Sequence, residues 1–113
     1  MNVEKWKFSE HAASLVASIK VCTKQKDLQK GARIHSYLLK RGLLEKDIYL
    51  GNALIHLYAK CGILTKAQEV FNDLPFRNVV SWTSLISGYI QHGRYEEALE
   101  LFYRMERCEN LSP

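Results

Sequence analysis

Laid over itself with an offset of 31 residues, the chain comes back into register, and no other feature limits its fold as strongly. Leu54 falls on Leu85, Tyr58 on Tyr89, Gly62 on Gly93, Ala67 on Ala98, Glu69 on Glu100 and Phe71 on Phe102. A fainter copy lies upstream at an offset of 36, where Ile19 matches Ile55, Leu28 matches Leu64, Gly31 matches Ala67 and His35 matches Phe71. Self-similarity at such periods marks one supersecondary unit repeated, each unit burying its apolar surface on the next. The units are 12–47, 48–78 and 79–113, after an N-terminal extension over 1–11.

Each unit reads as two helices joined by a tight turn. In the second, Leu50, Ala53, Leu54, Leu57 and Tyr58 recur at helical spacing. Asp47 stands ready to cap them and Gly62 to end them. Leu64, Ala67, Val70, Phe71 and Leu74 form a second stripe, closed by Pro75. In the third unit, Ser81 stands near the N-cap of a stripe made by Trp82, Leu85, Ile86, Tyr89 and Ile90. Gly93 breaks it, and Tyr95, Ala98, Leu99, Phe102 and Met105 follow. In the first, Ala12, Leu15, Val16, Ile19 and Val21 precede Ala32, Ile34, Tyr37, Leu38 and Leu39. Gly31, Ala67 and Ala98 are small, which suits close helix approach. The repeated Tyr58/Tyr89 and Phe71/Phe102 pairs are expected in the core.

Bulk properties narrow the function. With 47% hydrophobic and 25% charged residues, the 113-residue chain has an ordinary globular composition. A net charge of +4 permits a polyanionic partner without requiring one. No apolar run nears the ~20 residues that cross a bilayer. Glu4, Lys5, Lys7, Glu10 and His11 interrupt any secretory core, and a transit peptide is not evident. Cys22, Cys61 and Cys108 read as free thiols, with no metal-ligand spacing. His35 and His56 have no ligand partner at i+4 and read as packing or surface residues, and His92 precedes a turn glycine and is expected to be exposed. No phosphate loop, nucleophile elbow or deaminase motif occurs. The chain is therefore expected to be no enzyme and to need no cofactor.

Three segments carry a family resemblance. Residues 51–62, from Gly51-Asn52-Ala53-Leu54 to Lys60-Cys61-Gly62, resemble the short repeat of plant pentatricopeptide repeat (PPR) proteins. Val79-Val80-Ser81-Trp82-Thr83-Ser84-Leu85-Ile86 resembles the start of their standard repeat. Leu28-Gln29-Lys30-Gly31-Ala32-Arg33-Ile34-His35 resembles the second helix of their long repeat. The order long, short, standard is that of the plant PLS class. The resemblance implies an all-α, right-handed α-solenoid of three helix-turn-helix repeats. It also implies sequence-biased binding of single-stranded RNA in organellar RNA processing or editing, as a recognition component. The organelle would be the mitochondrion, with the plastid as the alternative.

Such repeats read about one base each. By the resemblance, Asn52 and Asn78 read a pyrimidine and Thr83 a purine. Tyr49 and Val80 flank a base, and Lys60 and Lys24 meet phosphate. Val16 holds the reading position of the first unit without a hydrogen-bonding group, so little base reading is expected there. Gln91 stands where Lys60 has its counterpart, which weakens the phosphate contact in the third unit. Partners would be RNA and other PPR or editing proteins, with no membrane. Self-association through uncapped ends, near Phe8 and Leu111, is a further expectation. Two alternatives stand beside this reading: a helical scaffold that binds protein, and a fragment of a longer PPR protein.

Overall fold

The computed structural model describes residues 3–109, which hold six α-helices and no strand. These are α1 (Val3–Gln25), α2 (Leu28–Lys40), α3 (Ile48–Lys60), α4 (Leu64–Asp73), α5 (Val79–Gln91) and α6 (Tyr95–Glu109), with a single 3-10 turn at Leu43–Glu45. Each second helix folds back on its first, α1 packs on α3, and α3 packs on α5. Three hairpins thus stack into an α-solenoid around one continuous core. Helix α1 runs unbroken from Val3 through residue 11 to Gln25. Phe8 packs against the core. Leu111 and Pro113 lie outside the described residues.

The three hairpin turns are copies of one another. Asp27, Ile63 and Arg94 each donate a backbone N–H to the carbonyl five residues back, on Cys22, Tyr58 and Tyr89, all at 2.8 Å. The residue just before each donor is left-handed: Lys26 at φ +54°, Gly62 at +82° and Gly93 at +74°. This is the motif that satisfies the last carbonyls of a helix, and glycine adopts it without a clash. A side chain there costs about 1–2 kcal/mol, so Lys26 is the strained member of the set.

Capping side chains set the helix starts. Asp27 accepts from the Lys30 N–H at 3.1 Å, and Asp47 accepts from the Tyr49 N–H at 2.8 Å. Asn78 caps α5 by accepting from the Ser81 N–H at 3.0 Å, while the Ser81 hydroxyl accepts from the Asn78 N–H at 3.2 Å. Ser81 is therefore the third helical residue, closing a reciprocal box, and Asn78 is the cap. Arg77 ends α4 by donating Nε–H to the Phe71 carbonyl at 3.0 Å.

Close approach depends on the small residues. A Cβ at Gly31 would run into the side chain of Leu57, and one at Gly88 would stand 2.6 Å from Cβ of Ala59. Phe71 is 0% exposed and meets the edge of Trp82, with ring centroids 4.7 Å apart. Phe102, expected beside it in the core, is 41% exposed. Ile90, Tyr95 and Leu99 are exposed with it. Their counterparts in unit 2 lie against unit 3, whereas the outer face of unit 3 carries no further hairpin among the described residues. Val21 and Leu39 are exposed as well, because the helical stripe marks a face and stacking decides whether that face is covered.

Candidate nucleic-acid interface

Because α1, α3 and α5 stand side by side, one edge of each opens into a shared groove. Its first hollow, about 340 Å³, takes Val16 and Lys20 from α1, Tyr49, Asn52 and Ala53 from α3, and Val80 and Ser84 from α5. An adjoining hollow of about 410 Å³ shares Lys20, Thr23 and His56 with it and adds Lys24, Lys26 and Lys60. One end of the groove is mainly apolar, with an exposed tyrosine ring. The other is a cluster of four lysines.

The residues singled out from the sequence separate in space. Tyr49, Val80 and Asn52 meet in the first hollow, and Lys24 and Lys60 meet in the second. Asn52 is only 6% exposed. Its Nδ2 donates to Asn78 Oδ1 at 3.1 Å, and its Oδ1 accepts from the Ser81 hydroxyl at 2.5 Å. Asn78 is thus joined to Asn52, but it is not part of the wall. An asparagine amide has two N–H donors and two acceptor lone pairs, so these bonds leave Asn52 one of each. Thr83 is exposed outside the hollow, with its hydroxyl donating to the Val80 carbonyl at 3.3 Å, and Ser84 lines the wall instead.

Five residues of the groove escaped the sequence reading: Lys20, Thr23, Lys26, His56 and Ser84. Lys20 and Lys24 are four apart on one helix, which puts them on one face, and that spacing was a usable signal. Lys26 could be found only by recognising the turn position it shares with Gly62 and Gly93. Burial, then Lys60 and Lys20, hold the pKa of His56 below its ordinary value, so its imidazole is neutral at neutral pH.

Charge is divided along the array. Residues 1–46 carry ten lysines and arginines against four acids, a net of +6. Residues 47–113 carry six against eight, a net of −2. The ion pairs among the described residues are Lys66–Glu69 and Arg94–Glu97, neither of which involves the groove lysines.

Stacked helical hairpins with a groove across their first helices define a protein of the helical-repeat class. Within that class, the chain belongs to the pentatricopeptide repeat family. The PPR repeat profile matches residues 52–79 and 80–109. A pentatricopeptide repeat-containing protein of Arabidopsis thaliana is 46% identical over 90% of this chain and 17% of its own length. A second from the same plant, named as chloroplastic, is 43% identical over 80% of this chain and 14% of its own. A third, named as mitochondrial, is 44% identical over 84% of this chain and 15% of its own. The chain thus spans less than a fifth of the length of these relatives.

Proposed function

We propose that the chain binds single-stranded RNA in the groove across α1, α3 and α5, with a bias in base sequence. The observation that carries this is the union of the two hollows, an apolar and aromatic wall with a buried amide running into four lysines. Unstacked bases are held on aromatic and apolar faces, and lysines meet the phosphates between them. In this reading Tyr49 and Val80 flank a base, Asn52 and Asn78 select a pyrimidine, and Thr83 selects the purine that follows. Lys60 and Lys24 contact phosphate. Asn52 reads with its spare donor and acceptor, while Asn78 orients it.

The long, short, standard order of units belongs to the same reading, as does a role in organellar RNA processing or editing. The relatives named as mitochondrial and chloroplastic support an organelle, with the mitochondrion as the first choice and the plastid as the second. The chain acts there as a recognition component, with any chemistry supplied by other PPR or editing proteins. Three units engage about three bases, so affinity is low unless further repeats or partners add to it. The exposed row at Ile90, Tyr95, Leu99 and Phe102 supports association through the outer face of unit 3.

Titration with short single strands carrying pyrimidine-purine at the central bases, against scrambled strands, tests the function. Preference for the pyrimidine-purine order, lost in Asn52→Ala, is expected. Equal binding of every strand would remove the base-reading role. The apolar outer face favours a second reading, a scaffold for protein. Absence of RNA binding by a folded chain would turn the case to it.

A further inference from the structure

We propose that the first hairpin is a base-blind phosphate anchor, built from Lys20, Lys24 and Lys26 with Lys60 facing them, and that Lys26 is kept in a strained conformation for this purpose. The proposal rests on the RNA reading above and assigns a separate task to one unit of the array.

Three observations converge. The groove lysines form no ion pair with an acid among the described residues, and no carboxylate lines their hollow. The excess positive charge of the chain sits in residues 1–46, while units 2 and 3 together carry six basic and seven acidic residues. The third observation is the turn after α1. Its backbone bonds repeat those after α3 and α5, so the same left-handed residue is required in all three. The other two turns use glycine, and this one uses lysine at φ +54° with its side chain lining the groove. A non-glycine residue held in that region signals a role beyond the turn itself. The turn would close as well or better with glycine, and only the lysine contributes a charge to the groove.

The division of labour follows from the chemistry of the wall. At the lysine end the neutral groups are Thr23 and His56, and the reading position of this unit is Val16. An ammonium is a point charge that attracts any phosphate oxygen, and valine has no hydrogen bond with which to tell one base edge from another. The first hairpin therefore holds the strand, and the groove walls of units 2 and 3 sort it.

The test is fluorescence titration of the full chain with oligouridylate, oligocytidylate and oligoadenylate over a range of salt. The unaltered chain is compared with Lys26→Gly, with Lys20→Ala/Lys24→Ala and with Lys66→Ala, which lies outside the groove. The slope of log affinity against log salt should fall by about 0.7 for each groove lysine removed, as expected for single strands. Affinity should drop several-fold by the same factor for all three oligomers, and Lys66→Ala should keep the slope. Lys26→Gly should also melt at a higher temperature, since a structural lysine would not combine higher stability with weaker binding. An unchanged slope in the groove variants, or a loss confined to one base, would overturn the proposal while leaving RNA binding intact. Absence of binding by the unaltered chain to all three oligomers would overturn the RNA reading and this proposal with it.

Discussion

Units 2 and 3 are close copies in sequence, yet one is interior and the other ends the described stack. Ala59 is buried against Gly88, and its counterpart Ile90 is exposed. Leu64 is buried, and its counterpart Tyr95 is exposed. Phe71 meets Trp82 edge-on, while Phe102 lies partly bare. All six are apolar or aromatic, and Phe71 and Phe102 are the same residue, so the difference teaches that burial in this fold belongs to the interface between units and not to the unit. The opposite face differs in kind. Unit 1 turns Ser14 and Ser18 outward where unit 2 buries Leu50 and Leu54. The outer face of unit 1 is thus more polar at these positions than the outer face of unit 3, where Ile90, Tyr95, Leu99 and Phe102 are exposed.

The most direct way to break the comparison is at the matched phenylalanines. Phe71→Ala should cost about 3–5 kcal/mol, a large share of the stability of a chain this size, because it opens a cavity against Trp82. Phe102→Ala should cost about 1 kcal/mol, since much of the ring is already in water. Urea denaturation of the two variants measures this, and equal costs would mean that the outer face of unit 3 is covered in solution. Next come the helix caps. Asn78→Ala should lose about 1–2 kcal/mol, and Asp47→Ala about 1 kcal/mol or less. Asn78 is the more costly because Asn52 Nδ2 and the Ser81 N–H both lose an acceptor with it.

A finer test lies in the turns. Gly62→Ala and Gly93→Ala should each cost about 1 kcal/mol from left-handed strain. Gly62 should cost more, because His92 Nε2 is 3.3 Å from the new Cβ, while nothing lies within 4 Å of that position at Gly93. The smallest effect expected is with pH. Burial, then Lys66, lowers the pKa of His35, which shares a 2.7 Å hydrogen bond with the Tyr58 hydroxyl. The unfolded chain therefore binds a proton before the folded one does. Stability should hold above pH ~6.5 and decline as pH falls below it. Thermal melts of the unaltered chain and His35→Gln check the sign, and the variant should decline less.

Much of this architecture was legible in advance, for reasons that can be named. Tyr58, Gly62, Ala67 and Phe71 recur at a fixed offset because stacked hairpins must present the same surfaces at each step. Asp47 and Asn78 sit one residue before their helices because orphan N–H groups need an acceptor there. The weaker first unit kept its turn hidden, since Lys26 does not look like a glycine until backbone angles and hydrogen bonds are compared. Of the groove, Tyr49, Val80, Asn52, Lys24 and Lys60 were named beforehand. Lys20 was legible from its spacing to Lys24, whereas Thr23, His56 and Ser84 were not, because their place depends on how α1, α3 and α5 lie beside one another.

The sequence by itself determined the helices, their turns and the repeat, since these follow from neighbours within a few residues and from a period that any packing must respect. Tertiary structure alone decided which copy of a repeated residue is buried, and that Asn52 spends half of its amide on Asn78 and Ser81. It also decided that four lysines from two units face one groove. These outcomes depend on residues 11 to 40 positions apart in the chain being brought together, and no local pattern records that approach.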